Sequence, residues 1–240
     1  MTILWKVRLF FVILNLVMDV SLTKRRNVIL IILVVACIAM SIVDGMIQPG
    51  YWIKSMSKWV FFVVIPLLFL KDTIQIKELF HLSLNELKQS LFLGLGVYAL
   101  IMVAYLVASL WFDFSTIGPL LDEQVNVNAT NFLFVSTYIA LVNSGIEEFF
   151  FRGVGYQCLK QTMNPKVAGW ISSVLFSLYH VAIMIGWFHI SIFTLILISL
   201  IVAGWLFIYL NRKGSTFFHS WFVHMFANLA INTIGWIILL

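Results

Sequence analysis

Gly145-Ile146-Glu147-Glu148-Phe149-Phe150-Phe151-Arg152 decides how this chain is read. Two adjacent carboxylates close a long apolar run, and a guanidinium follows one turn later. A charge in or at the rim of a bilayer segment costs roughly 2.5–3.5 kcal/mol on insertion scales, so the cluster marks either a functional site or a boundary at the membrane surface. On a helix, Glu148 and Arg152 stand four residues apart on one face and can pair, whereas Glu147, five residues from Arg152, is turned well away from that pair. The expectation is a fixed Glu148–Arg152 ion pair and a Glu147 carboxylate left free to handle a proton.

The rest of the sequence bears on which of the two it is. The chain has 240 residues, 62% of them hydrophobic and only 10% charged, with a mean hydropathy of +1.03. No soluble core of this size uses such a composition, so the expected fold is all-α: a polytopic transmembrane helical bundle in a single domain over residues 1–240. The formal net charge is +5, yet the basic residues sit at the ends of apolar runs and form no patch suited to nucleic acid. Cys37 falls inside a predicted span and Cys158 in a connection, so neither a disulfide framework nor paired-cysteine metal spacing is expected.

Seven spans are read, or eight with the first. Residues 9–20 are apolar but short and interrupted by Asn15, and Thr23-Lys24-Arg25-Arg26 stands where a signal peptide would need small residues. The clear runs are 27–47, 59–70 with a backward extension toward Tyr51, 91–112, 132–151, 167–188, 190–210 and 217–240. Between Lys71 and Ser90, the apolar residues Ile76, Leu79, Phe80, Leu84 and Leu87 recur at helical spacing among charges, which suits either an amphipathic surface helix or a solvated connector. Gly94, Gly96, Gly169 and Gly204 lie in apolar runs and are read as sites of close helix packing.

Alternate connections differ in charge. One set holds Lys24, Arg25, Arg26, Lys71, Lys77, Lys88, Arg152, Lys160, Lys166, Arg212 and Lys213; the other holds Lys54 and Lys58, with Lys6 and Arg8 if the first span is real. The richer set is expected to face the cytoplasm, which puts the Glu147 end of its helix on that side.

Two later runs carry polar residues with four-residue spacing, Phe176-x-x-x-His180 and His224-x-x-x-Asn228. An isolated buried histidine is usually a hydrogen-bonded structural residue, but three helices with inward-capable polar groups are harder to dismiss. At about 1.5 Å per residue from the cytoplasmic helix ends, Glu147 is expected about 8 Å deep, His224 about 10 Å, Asn228 about 16 Å and His180 about 20 Å. The glycosylation pattern Asn128-Ala129-Thr130 is too common to carry weight. His81, His189 and His219 are given no role. Ser144-Gly145 is only a fragment of a serine-protease setting, and Asp19 and Asp44 are too far apart in sequence for an aspartyl pair.

Taken in order on successive membrane helices, Glu147-Glu148-x-x-x-Arg152, Phe176-x-x-x-His180 and His224-x-x-x-Asn228 resemble the three motifs of the CAAX protease and bacteriocin-processing (CPBP, or Abi) intramembrane endopeptidases. The resemblance covers residues 147–228, with no departure at the motif positions. It implies hydrolysis of a peptide bond in a membrane-associated peptide or protein, in a site opening toward the cytoplasmic side. Carried over, Glu147 and His180 would activate the attacking water, and His224 and Asn228 would stabilise the oxyanion. Glu148, Arg152 and Phe176 would support them. A carboxylate in apolar surroundings has its proton affinity raised by desolvation, which suits a general base, and donors aimed at an oxyanion gain strength where water is scarce.

Zinc is the open cofactor question. Glu147, His180 and His224 are plausible ligands that would leave a position for water. Against it, Asn is a poor zinc ligand and the chain lacks a His-Glu-x-x-His turn, so a metal-free, glutamate-dependent mechanism without cofactor is the favoured expectation. The rival readings are a non-catalytic scaffold or bacteriocin-immunity partner that uses the polar cluster as a buried network, and a proton-coupled transporter. The absence of repeat symmetry counts against the transporter. The expected setting is a bacterial plasma membrane, with a lipid bilayer and a membrane-associated substrate as partners, no nucleic acid, and no indication of oligomeric state.

Overall fold

A computed structural model describes residues 2–81, 84–213 and 216–239. Every regular element among them is helical. We number the principal helices α1 (Thr2–Ile42, prolonged by a π-helical segment Val43–Ile47), α2 (Tyr51–Leu70), α3 (Leu84–Ala108), α4 (Ile117–Val125), α5 (132–158), α6 (Pro165–Tyr179), α7 (Ile190–Leu210) and α8 (Phe218–Leu239). Six are long and apolar enough to cross a bilayer: α1 from Ser21, α2, α3 from Leu87, α6 with its extension to Met184, α7 and α8. Their outer faces expose large apolar side chains, among them Ile31, Ile38, Leu100, Val103, Ile198 and Val202, as surfaces solvated by lipid tails do.

α5, which contains the fourth of the seven clear runs read from the sequence, is not one of the six. It is the element around which the others pack. All its side chains from Phe149 to Leu159 are buried. Phe150 stacks on Phe62 of α2 with ring centroids 4.0 Å apart. Ser172 of α6 donates to the Phe151 carbonyl at 2.7 Å, and Trp221 of α8 donates to the Leu141 carbonyl at 2.9 Å. The glycines expected to serve packing do so at three of four positions. A Cβ on Gly94 would lie 2.4 Å from the Phe226 ring, one on Gly169 2.7 Å from Trp205, and one on Gly204 2.8 Å from Ser173, whereas Gly96 has nothing within 4 Å. These contacts pair α3 with α8 and α6 with α7.

Local chemistry sets the helix ends. Asn164 accepts from the Lys166 amide at 2.9 Å as Pro165 opens α6, a proline position where no amide is missed. Gly186, at φ +83°, turns the chain toward α7. Pro66 lies inside α2 and cannot donate to the turn behind it; the π-helical segment Val60–Val64 immediately before it absorbs the mismatch.

Several expectations are corrected. The stretch from Lys71 to Ser90 is no single amphipathic helix: a turn over 71–73 and one helical turn, Ile76–Leu79, precede α3. Leu79 is buried against Gly153 while Ile76 and Phe80 are exposed, so the periodic residues do not share one face; Leu84, the fourth of them, has a side chain outside the described residues. The connection 113–130 contains α4. Residues 9–20 are helical and continuous with α1 rather than a separate element, and their side chains also lie outside the described residues. Lys54 and Lys58, counted as connection charges, lie within α2.

Candidate active site

Three helices bring the motif residues together. Glu147 and Glu148 sit near the middle of α5, His180 caps the C-terminus of α6, and His224 lies in the second turn of α8. The expected pair forms: Arg152 Nη1 is 3.2 Å from Glu148 Oε1, and both side chains are fully buried. The guanidinium also lies over the rings of Phe176 at 4.2 Å and Phe207 at 4.8 Å, which surrounds the cation with π faces. Phe176 therefore supports Arg152, and its ring packs edge-on to both His180 and His224.

Each imidazole is oriented through its Nδ1. That of His180 is 2.7 Å from the Phe176 carbonyl, and that of His224 is 3.0 Å from Glu148 Oε1. Both partners only accept, so Nδ1 carries the proton in each ring and Nε2 points away from it. The two Nε2 atoms converge on one oxygen: Glu147 Oε2 is 3.9 Å from His180 Nε2 and 3.7 Å from His224 Nε2. A carboxylate oxygen and two ring nitrogens from three helices thus face one small volume.

The other oxygen of Glu147 is occupied, which corrects the expectation of a free carboxylate. Lys58 Nζ donates to Oε1 at 2.8 Å and to Asn143 Oδ1 at 2.6 Å, and Asn143 Nδ2 donates to the same Oε1 at 2.9 Å. Sequence reading missed Lys58 and Asn143. A lysine directly before a long apolar run, like an asparagine four residues before a carboxylate on one helix, is a signal that a buried charge needs a partner. Lys58 went unused because it had been assigned to a connection.

Asn228 is held one turn beyond His224, its Nδ2 donating to the Ile139 carbonyl of α5 at 3.3 Å. One amide hydrogen remains for another acceptor. α5 runs eleven residues past Glu147 to Cys158, roughly 16 Å at 1.5 Å per residue, against the roughly 8 Å expected from Glu147 to the end of its helix. Arg152 lies inside α5 and not at its end. Lys54 pairs loosely with Asp44, 3.8 Å away at the end of α1. Ser144 is tied up in helix contacts, accepting from Trp221 Nε1 at 3.1 Å. His219 is buried against Ser90 at 3.2 Å, on the connection side of α8 and apart from the motif histidines.

Among the described residues, no group of three or more His, Cys, Asp and Glu side chains is arranged to hold a metal ion. Glu147 Oε1 already carries an ammonium, and the spacings at Oε2 are wider than those of ligands sharing one zinc ion, about 3.4 Å for tetrahedral bonds near 2.1 Å.

No curated protein and no solved structure matches the chain. One family does, the Type II CAAX prenyl endopeptidase Rce1-like family, over residues 129–230. The matched segment begins just before α5 and ends in α8, and so contains all three motifs and every motif side chain described above. Over residues 129–230, this integral membrane protein is thus similar to the Rce1-like CAAX prenyl endopeptidase family.

Proposed function

We propose that the protein is an intramembrane endopeptidase that hydrolyses a peptide bond in a membrane-associated peptide or protein, with Glu147 as general base. The observation that carries this reading is the convergence of Glu147 Oε2 and the two Nε2 atoms. Glu147 Oε2 and His180 Nε2 are both acceptors, and a water between them donates to each. As the water attacks the carbonyl carbon, one of its protons passes to Glu147. The oxyanion accepts from His224 and from the free hydrogen of the Asn228 amide, the electrostatic stabilisation that dry sites make strong. His224 is assigned the donor role because its Nδ1 is held by the Glu148 carboxylate, whereas that of His180 is held by a neutral carbonyl. Collapse of the tetrahedral intermediate breaks the C–N bond, and Glu147 returns its proton to the leaving amine.

The mechanism we propose is metal-free, since the zinc-capable side chains do not fit a dication as they stand. The end of the bundle bearing Lys24, Lys71, Lys77, Lys88, Lys160, Lys166 and Arg212 is assigned to the cytoplasm, and the end bearing Asp113, Asp122 and Glu123 to the other side. The position of the cleaved bond is revised to mid-membrane. The buried run Phe149–Cys158, charged only at the paired Arg152, fills α5 between Glu147 and the basic end, whereas Lys58, Lys54 and Asp44 continue the polar residues toward the acidic one.

The test is mass spectrometry of peptides from membranes containing the parent or Glu147→Gln protein at equal abundance, repeated with 1,10-phenanthroline. Products formed only by the parent, at a rate the chelator leaves within twofold, are expected. Parental cleavage by Glu147→Gln removes the catalytic reading, and chelator inhibition reversed by zinc removes the metal-free one.

A further inference from the structure

The three motifs leave one buried ionic group without a task. Lys58 is 7% exposed and comes from α2, outside the 129–230 segment. Its ammonium, Asn143 and Glu147 Oε1 form a closed triangle with edges of 2.6, 2.8 and 2.9 Å, and the Tyr179 ring lies 5.2 Å from Nζ. Both contacts that the triangle makes to Glu147 fall on Oε1, and both imidazoles face Oε2.

We infer that Lys58 is a positioning residue: it clamps Oε1 of Glu147, with Asn143, so that the carboxylate stays ionised with Oε2 turned to the water site. The role rests on the reading of Glu147 as the base. Two carboxylates, Glu147 and Glu148, are buried side by side; Arg152 balances one and Lys58 the other. The remaining ionisable groups around Glu147 include His180 and Tyr179 from α6, His224 from α8, Asp44 from α1, and Lys54 and Tyr51 from α2. Lys54 is taken by Asp44, so no second free cation stands ready to replace Lys58 among these groups. A carboxylate that loses its cation holds a proton to higher pH and rotates more freely. The clamp therefore governs both the charge and the aim of the base while leaving the reacting oxygen untouched.

The experiment uses the purified full chain with a peptide that the parent cleaves and Glu147→Gln does not. Lys58→Ala is expected to lower kcat by about 100-fold with KM within about threefold, because the clamp acts on the base and not on the substrate. The acid side of its pH–rate profile should move to higher pH, and ethylamine, a small ammonium able to enter the vacated space, should restore at least tenfold of the lost rate. Lys58→Arg, which keeps charge and donors, should stay within tenfold of the parent. If Lys58→Ala does not accumulate, Lys58→Met supplies the readout by infrared difference against Glu147→Gln, where the carboxylate bands of Glu147 should give way to a protonated carbonyl band. A Lys58→Ala enzyme within threefold of the parent with an unmoved pH profile overturns the inference, as does a Lys58→Met protein with parental carboxylate bands. Parental cleavage by Glu147→Gln instead overturns the general-base reading.

Discussion

Replacing Glu148 by Gln tests the buried ionic hub with little change of shape. Glu148 Oε1 lies 3.2 Å from Arg152 Nη1 and 3.0 Å from His224 Nδ1, and neither Glu148 nor Arg152 is exposed. At that separation the attraction to Arg152 is about 5 kcal/mol for an effective dielectric constant near 20. Removing one member of such a pair typically costs 3–5 kcal/mol, because the surviving ion stays buried and uncompensated. The Phe176 and Phe207 rings keep part of the guanidinium's stabilisation, each face contributing about 1 kcal/mol. The expected loss is therefore about 3 kcal/mol, read as a shift in the denaturant unfolding curve of the detergent-solubilised protein. Arg152→Met alone should cost a similar amount, by stranding the carboxylate. The double variant Glu148→Gln/Arg152→Met buries no unpaired charge in this pair, so it should lie at least 2 kcal/mol closer to the parent than the sum of the single losses. Additive losses, or a Glu148→Gln protein within 0.5 kcal/mol of the parent, would refute the account of this hub.

Two further outcomes follow from packing. Gly204→Ala sets a methyl group 2.8 Å from Ser173 on the neighbouring helix and should destabilise by about 1–3 kcal/mol through overpacking, whereas Gly96→Ala, with open space around it, should stabilise by up to about 1 kcal/mol through helix propensity; equal effects in the same unfolding assay would contradict the helix contacts described. Phe62→Ala removes a fully buried ring stacked on Phe150 and edge-on to Phe151 and Tyr179; a loss of about 3–5 kcal/mol is expected, and one below 1 kcal/mol would show that α2 does not seal against α5.

The composition and the apolar runs made a helical membrane bundle legible, because a bilayer allows few other answers for such a chain. The Glu148–Arg152 pair was legible too, since four-residue spacing is a local property of a helix. What escaped was set by tertiary contact. Nothing within α2 says that Lys58 meets a residue 89 positions later, and the charge tally that placed it in a connection treated an ion-paired lysine as a solvated one. The length of helix beyond Glu147 was underestimated because Arg152 read as the end of the run, whereas α5 continues to Cys158 and Arg152 is neutralised within it by Glu148 and two aromatic faces. The periodicity of 71–90 was real in sequence, but a turn and two helical pieces divide it and turn its residues to different sides.

The wide helical turns carry a further consequence. One holds Asp44 (Val43–Ile47), one follows two residues after Lys58 (Val60–Val64), one ends at Asn143 (Ile139–Asn143), and one begins directly after Glu148 (Phe149–Cys158). A turn of this kind accommodates one residue more than an ordinary one, and it rotates everything beyond it by about 100° relative to an uninterrupted helix. The angular placement of the polar ring is thus written into insertions along three backbones as well as into the identities of its side chains. Grafting Lys58 on one straight helix and the Asn143–Glu147 pair on another would turn the two to different compass points, and a designer who copied the residues without the swollen turns would inherit the chemistry but not its aim.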